Sequence, residues 1–234
     1  MSVKNNFVYS VQFLDAQQAS LSSERMATYI TRTGGNRENA ARLYTWNVAA
    51  SAAFYGPLQG LEIALRNAIH REMTIEFGGN WYDNPRCGLD GRTLATINSA
   101  KTDLIRSGYV VDPPHMVAAL TFGFWVALLG SGGRLSIGAK ANYEMTLWRP
   151  VLYRAFCYTK VSRKGAHLPL DYLRTLRNRI AHHEPIFNRH LARDYASILT
   201  TAAAICPDTA NWIAHHSRVG EILSQSPNDP ALMF

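Results

Sequence analysis

The residues of this chain best suited to chemistry lie in one stretch of its C-terminal third, from Leu176 to Pro185. Arg177, Asn178 and His182 fall there on about one and a half helical turns, just before the proline. Arginine is a permanent cation that binds phosphate with a planar fork, and the unperturbed pKa of histidine suits proton transfer near neutrality. This pair of side chains has the groups needed to cut RNA without a metal ion.

Helical geometry predicts that these residues share one site. At roughly 100° per residue, Asn178 and His182 lie on one face of a helix, and Arg174 extends the same row by one turn. Arg177 is rotated from Asn178, but its long side chain reaches the same place. The pattern predicts a buried side opposite this row, formed by Leu170, Leu173, Leu176 and Ile180.

Pro185 predicts where this helix ends. It disfavours helical geometry at the preceding residue, so we expect the helix to end near His183. His182 then lies in the last turn, where the negative end of the helix dipole favours the protonated imidazole. A histidine pair before a proline is also compatible with a simple C-terminal cap beside solvated arginines. Both interpretations stay open, because R-x4-H is a loose pattern.

Composition predicts one well-packed globule. The 234 residues are 47% hydrophobic and 18% charged, and we expect a single domain spanning residues 1–234, with a frayed tail from Ser226. The three cysteines are widely spaced, which suits a reducing cytosol and offers no disulfide or metal framework. Residues 1–6 lack the apolar stretch of a signal peptide, and the apolar run 116–129 is too short to span a bilayer. We therefore expect a soluble cytoplasmic protein with no membrane partner.

The net charge of +7 is concentrated around the motif. Residues 149–194 hold 10 basic and 3 acidic residues (10 − 3 = +7), and the rest of the chain holds 14 of each. Arginine outnumbers lysine 19 to 5, which favours forked phosphate contacts, although a solvated basic face is the alternative. The expected contacts to an RNA backbone are Lys160, Arg163, Lys164, Arg179, Arg189 and Arg193.

Helical periodicity dominates the chain, and no strand alternation is evident, so we predict an all-α fold of seven to nine helices. We expect helices from Ser22 or Ser23 to Ile30, from Asn36 towards Tyr55, over 58–77 after a break or kink at Gly56-Pro57, over 113–129 after Asp112, over 147–158, over the motif, and over 188–205 and 212–223. Loops are expected at 81–91 and, with a basic character, at 160–167.

A second polar row lies on the helix predicted for 58–77. Glu62, Arg66 and His70 are spaced by four residues, and one hypothesis is that Glu62 and Arg66 face the motif helix and orient Arg177 or His182. The alternative is an ordinary amphipathic helix with a Glu–Arg pair.

Other kinds of site find little support in the sequence. Adjacent histidine pairs chelate poorly, and with no HExxH or CxxC motif no metal site is expected. The aromatic clusters 81–82 and 122–125 are more typical of a core than of a stacking surface.

Three blocks in this order give the chain a resemblance to a known family. Leu61-Glu62-x-x-Leu65-Arg66-Asn67, the run Thr121–Trp125 and the decapeptide Leu176–Pro185 resemble the Abi-like proteins of bacterial abortive infection, which belong to the HEPN superfamily of helical ribonucleases. The resemblance covers residues 44–199, with additional N- and C-terminal helices. The superfamily pattern of Arg, a polar residue and His four to six positions later is matched by Arg177, Asn178 and His182, and His183 satisfies a longer spacing.

The resemblance implies a metal-independent endoribonuclease without a cofactor, acting in phage defence or as a toxin. The ribose 2′-OH would attack the adjacent phosphorus and leave a 2′,3′-cyclic phosphate. His182 would move protons, Arg177 would stabilise charge on the phosphoryl oxygens, and Asn178 would orient His182 or a phosphate oxygen. A homodimer with a shared cleft would supply a second histidine, and an antitoxin or a phage trigger would control it. Two alternatives are a non-catalytic RNA-binding protein and a partner-binding helical module.

Overall fold

The computed structural model describes residues 7–234, and over that range the chain forms ten α-helices and no β-strand. The predicted all-α class is confirmed. The segment 1–6, which we examined for a signal peptide, lies outside the described residues. The helices are α1 Val11–Leu21, α2 Ser23–Arg32, α3 Arg37–Phe77, α4 Gly91–Arg106, α5 Pro113–Ala119, α6 Phe122–Leu128, α7 Arg163–Ala181, α8 Leu191–Ile205, α9 Pro207–His216 and α10 Val219–Ser224. The sequence reading had missed α1 and α4.

The predicted helix starts coincide with side-chain caps. Ser22 Oγ accepts the backbone N–H of Arg25 at 3.3 Å, which opens α2. Asn36 Oδ1 accepts an N–H at 2.9 Å at the start of α3, and Asp112 Oδ1 accepts one at 3.0 Å at the start of α5. Each cap satisfies one of the N–H groups that a helix leaves without an internal partner.

The predicted break of the helix at Gly56-Pro57 is not observed. Helix α3 is 41 residues long, includes Pro57 in its interior, and ends before Gly78, as predicted. A proline inside a helix removes one hydrogen bond and costs about 3 kcal/mol. Burial of Phe54, Leu58 and Leu61 on either side of Pro57 offsets that cost.

The single helix predicted for 113–129 is two helices. Leu120 and Thr121 are extended, with ψ of 127° and 163°, and separate α5 from α6. The carbonyl of Leu120 accepts the indole N–H of Trp125 at 3.2 Å, which gives it a buried partner.

Three further boundaries differ from expectation. Residues 147–158 form no α-helix; a π-helical turn (Glu144–Trp148) and a 3₁₀ turn (Leu152–Phe156) flank Pro150, which cannot donate a helical hydrogen bond. The basic loop is shorter than predicted, because α7 already begins at Arg163. The last predicted helix is divided into α9 and α10.

The chain forms two compact units. Within residues 7–234, the first contains the residues up to Pro57 together with Asn178–Tyr195 and His216–Phe234, and the second contains Leu58–Arg177 and Ala196–His215. In the first unit, Met26, Tyr29 and Ala40 form a buried cluster, and Tyr29 packs against Phe187 with ring centroids 5.2 Å apart.

The second unit has an aromatic and aliphatic core. Trp81 and Trp125 are fully buried, with ring centroids 6.0 Å apart, and Phe124 packs against both. The two aromatic clusters are therefore core, as the sequence had suggested. No helix within residues 7–234 is long and apolar enough to cross a membrane.

Candidate active site

Helix α7 carries the motif on its solvent side. Leu170, Leu173 and Leu176 are completely buried, as the spacing predicted, while Ile180 is only partly buried. Arg177 and Asn178 are partly exposed in the last two turns of the helix, and His182 and His183 are exposed. Burial of one side of α7 thus leaves the motif side chains accessible.

The motif ends in a tight C-terminal cap. Helix α7 ends at Ala181, and His183 has a left-handed backbone with φ of 57°. The N–H of His183 bonds the carbonyl of Ile180 at 3.1 Å, and that of Glu184 bonds the carbonyl of Arg179 at 2.8 Å. These two bonds define a Schellman motif, with His183 at the position where glycine is usual. The interpretation as a cap is thus correct for the backbone, and it leaves the roles of the exposed side chains open.

Two side chains far away in sequence fix the turn and the loop after it. Arg25 Nη1 donates to the carbonyl of His183 at 2.6 Å. Asn47 Oδ1 accepts the N–H groups of Ile186 at 2.7 Å and of Phe187 at 3.3 Å. Asn47 is only 4% exposed, so these bonds satisfy polar groups that are shielded from water. The sequence reading missed both residues, which lie 158 and 139 positions from their partners and carry no local signal.

The three residues of the second polar row, Glu62, Arg66 and His70, have different surroundings and do not form one site. Glu62 Oε2 lies 3.8 Å from Arg177 Nε, so the row does bring a carboxylate to the motif arginine. Arg66 Nε is buried and has no hydrogen-bond partner among the described residues.

His70, the third member of the row, belongs to the core. Its Nδ1 accepts the indole N–H of Trp81 at 3.0 Å, and burial lowers the pKa of its imidazole. Both observations describe a neutral histidine that packs against Trp81.

Arg174 has its own carboxylate partner. Its Nη2 lies 2.8 Å from Asp171 Oδ1, and its Nε donates to the same oxygen at 2.9 Å. Asp171 and Arg174 both line a cavity of the second unit. Arg174 thus lies one turn before Asn178 on α7, as expected, with its charge balanced locally.

Much of the basic charge around the motif is paired. Four glutamates from outside residues 149–194 reach arginines inside that segment, which the charge count alone could not show. The pairs are Glu144 with Arg149 and Arg163, Glu72 and Glu76 with Arg154, and Glu62 with Arg177. Within the segment, Arg174 pairs with Asp171, Arg179 with Glu184, and Arg189 with Asp194.

The six expected RNA contacts therefore fall into three classes. Arg163 and Arg189 have structural roles: Arg163 bonds Glu144 and the carbonyl of Leu129, and Arg189 and Asp194 are only 17% and 14% exposed. Arg179 is partly exposed and also donates to the carbonyl of Pro185. Lys160, Lys164 and Arg193 are exposed and have no ion pair within residues 7–234.

A protein metal cage is not evident in the part of the chain that the structure describes: no three His, Cys, Asp or Glu side chains there are grouped to hold a metal ion. No protein-family model, curated protein or solved structure matches the chain. The chemistry of its own side chains is therefore the basis for assigning a function.

Proposed function

We propose that this protein is an endoribonuclease of the Abi-like type, which acts in abortive-infection phage defence or as a toxin. The observation that carries the proposal is the end of α7. An arginine and a carboxamide lie there in the last two turns of one continuous helix, and an exposed histidine is the first residue beyond it. The resemblance of the three sequence blocks supports the same assignment.

In the proposed reaction, one imidazole removes the proton of a ribose 2′-OH. The 2′ oxygen forms a bond to the adjacent phosphorus, and the bond from phosphorus to the 5′ oxygen breaks. A second imidazole gives a proton to that 5′ oxygen, so the products carry a 2′,3′-cyclic phosphate and a 5′-OH. His182 is the proposed proton carrier, and a second copy of the chain supplies the other imidazole.

Arg177 is proposed to stabilise the charge that develops on the phosphoryl oxygens. Glu62, 3.8 Å away, limits where the guanidinium can lie. Asn178 is proposed to orient His182 or a phosphate oxygen through its carboxamide. The exposed lysines and Arg193 contribute contacts to the RNA backbone.

Incubation of the purified protein with RNA in EDTA tests this proposal. We expect products with cyclic-phosphate ends, and a loss of at least 100-fold in rate for His182→Ala and for Arg177→Ala, on the order of one general acid–base or one charge-stabilising group. His190→Ala, which removes another exposed histidine, serves as the matched control and should cut like the wild type.

Three results would overturn the proposal. Cutting that is unchanged in His182→Ala and His183→Ala would exclude the motif histidines. RNA binding without cutting would favour the non-catalytic RNA-binding alternative. Loss of a protein complex in Arg177→Ala, with no RNA affinity in the wild type, would favour the interaction module.

A further inference from the structure

The block Thr121–Trp125 has no role in the proposed reaction, yet three of its residues line a cavity. Phe124 is buried and contributes an apolar part of the lining, while Thr121 and Gly123 lie beside it. The cavity belongs entirely to the second unit and has a volume of about 540 Å³. That volume is within the usual range for small-molecule sites.

Polar groups from three helical segments converge on this cavity. They come from the first turns of α4, from the residue before α6 and from the middle of α7, and they are Arg92, Thr96, Thr121, His167, Asp171 and Arg174. His167, Asp171 and Arg174 are spaced by four and three residues, so they lie on one face of α7. Convergent polar groups in a partly apolar cavity are typical of a ligand site.

Two of the lining residues are glycines that lie close to charged side chains. A Cβ atom at Gly123 would lie 3.5 Å from Cδ of Arg174, so Arg174 extends across the face that the missing side chain leaves free. A Cβ atom at Gly133 would lie 3.1 Å from Oδ2 of Asp90. Glycine at such positions allows another group to approach the backbone closely.

Some charged side chains of the cavity are already bonded by the protein, and others could bond a ligand. Asp90 accepts the N–H groups of Thr93 at 2.8 Å and of Gly133 at 2.7 Å, so its carboxylate is used by the fold. Arg92 is exposed and has no ion pair in the described part of the chain. Within residues 7–234, the ion-pair partner of Arg174 is its partly exposed neighbour Asp171.

His167 is a neutral polar group in this cavity. Burial lowers the pKa of its imidazole; the charge of Asp171 acts against this shift, and those of Arg163 and Arg174 add to it. A neutral imidazole presents one donor and one acceptor, which is the pattern needed to bond the edge of a base or a ribose hydroxyl.

We propose that this cavity binds one nucleotide, with Arg92 and Arg174 on its phosphate and with Asp171 and His167 on its base or ribose. Two guanidinium groups are the usual protein partners of a phosphate. When Arg174 turns to the phosphate, Asp171 is free to accept from an amino group or a hydroxyl. The volume exceeds what a phosphate ion alone requires, and the exposed Ala127 contributes apolar surface to the lining.

The nucleotide has two potential sources. It is either a free nucleotide or one unit of an RNA chain, and the second case rests on the proposed ribonuclease function. His167 precedes Arg177 by ten residues on α7, which corresponds to about 15 Å along the helix axis. A short stretch of RNA bound at Arg177 would reach the cavity.

Direct titration of the full-length His182→Ala protein with each of the four nucleoside 5′-monophosphates tests the free-nucleotide source. We expect saturable binding of one of them, measured by calorimetry, and a decrease in affinity of about tenfold or more in Arg92→Ala and in Arg174→Ala. Arg174→Lys, which keeps the charge and loses the fork, should be intermediate. Arg106→Ala is the matched control, since it removes another exposed arginine of α4 that does not line the cavity.

Mapping of the cyclic-phosphate ends tests the RNA source. We expect wild-type protein to prefer one base at a fixed distance from the cut, and Asp171→Asn to change that preference while cutting continues. Either positive result supports the site and identifies its source. The proposal is overturned if no monophosphate binds and neither Arg92→Ala nor Asp171→Asn alters cut-site choice. If the wild type does not cut RNA, the proposed ribonuclease function is refuted. The nucleotide titration alone then tests whether the cavity binds a nucleotide.

Discussion

Replacement of Asn47 by alanine removes a side-chain acceptor for two backbone N–H groups of the loop after the motif. Asn47 Oδ1 accepts the N–H of Ile186 at 2.7 Å, and Ile186 is completely buried. A buried donor left without a partner costs about 1–3 kcal/mol, and the longer bond to Phe187 at 3.3 Å adds about 0.5–1 kcal/mol. We expect Asn47→Ala to lower the free energy of unfolding by about 1.5–4 kcal/mol.

Urea denaturation followed by circular dichroism measures this change. A loss of 3 kcal/mol corresponds to a decrease in Tm of roughly 6–12 °C for a chain of this size. Asn39→Ala is the matched control on the same helix, because Asn39 is exposed, and its effect should stay within about 0.5 kcal/mol. A loss below 1 kcal/mol for Asn47→Ala would refute the reasoning, since the two N–H groups would then have found water or another acceptor.

Three further predictions follow from the motif turn, the second polar row and the ion pairs. His183→Gly should raise the free energy of unfolding by about 1 kcal/mol in the same assay, because glycine adopts the left-handed backbone without strain. The same variant should still cut RNA if His182 is the proton carrier, and it should lose activity if His183 is the proton carrier. Burial lowers the pKa of His70, so His70 of the unfolded chain takes up a proton at a higher pH than His70 of the folded chain. The free energy of unfolding should therefore fall as the pH decreases below about 6.5. In urea titrations at several pH values, His70→Gln should show a weaker dependence of this free energy on pH. RNA affinity should fall with rising salt with a log–log slope of about −3, the value for four phosphate contacts on a single strand, made by Lys160, Lys164, Arg177 and Arg193. A slope near −7 would show that all ten basic residues of 149–194 contact phosphate.

Local chemistry was predictable from the sequence. The caps at Ser22, Asn36 and Asp112 depend on a side chain three residues from the N–H that it accepts, and all three form. The ends of α3 and α7 depend on Gly78 and Pro185, whose backbone preferences act on the nearest turn. The all-α class follows from many such local preferences that agree with one another.

Competition between local and distant interactions was not predictable. The run 113–129 is continuous in hydrophobicity, yet Leu120 is extended and its carbonyl bonds a tryptophan five residues ahead. Pro57 has the strongest local signal for a break, yet α3 continues because residues on both sides of it are buried. In both cases packing outweighed the local preference.

The candidate site shows the same division. Its three motif side chains were evident from spacing, and the approach of Glu62 to Arg177 was one of two hypotheses. Arg25 and Asn47 could not be found, because their partners are backbone atoms more than a hundred residues away. The pairing of the basic segment was equally hidden, since a charge count along the chain does not show which acids fold onto it.

The separation of 3.8 Å between Glu62 and Arg177 has a consequence for how readily the proposed site reacts. At that distance the carboxylate holds the guanidinium by charge, and no hydrogen bond between them has to break when a phosphate arrives. In the proposed reaction, the guanidinium donors of Arg177 would then be available to the phosphoryl oxygens as negative charge grows on them. In a closer pair, Arg177 would have to give up a hydrogen bond to Glu62 before it could bond a phosphate. At 3.8 Å, the proposed reaction would require little structural rearrangement.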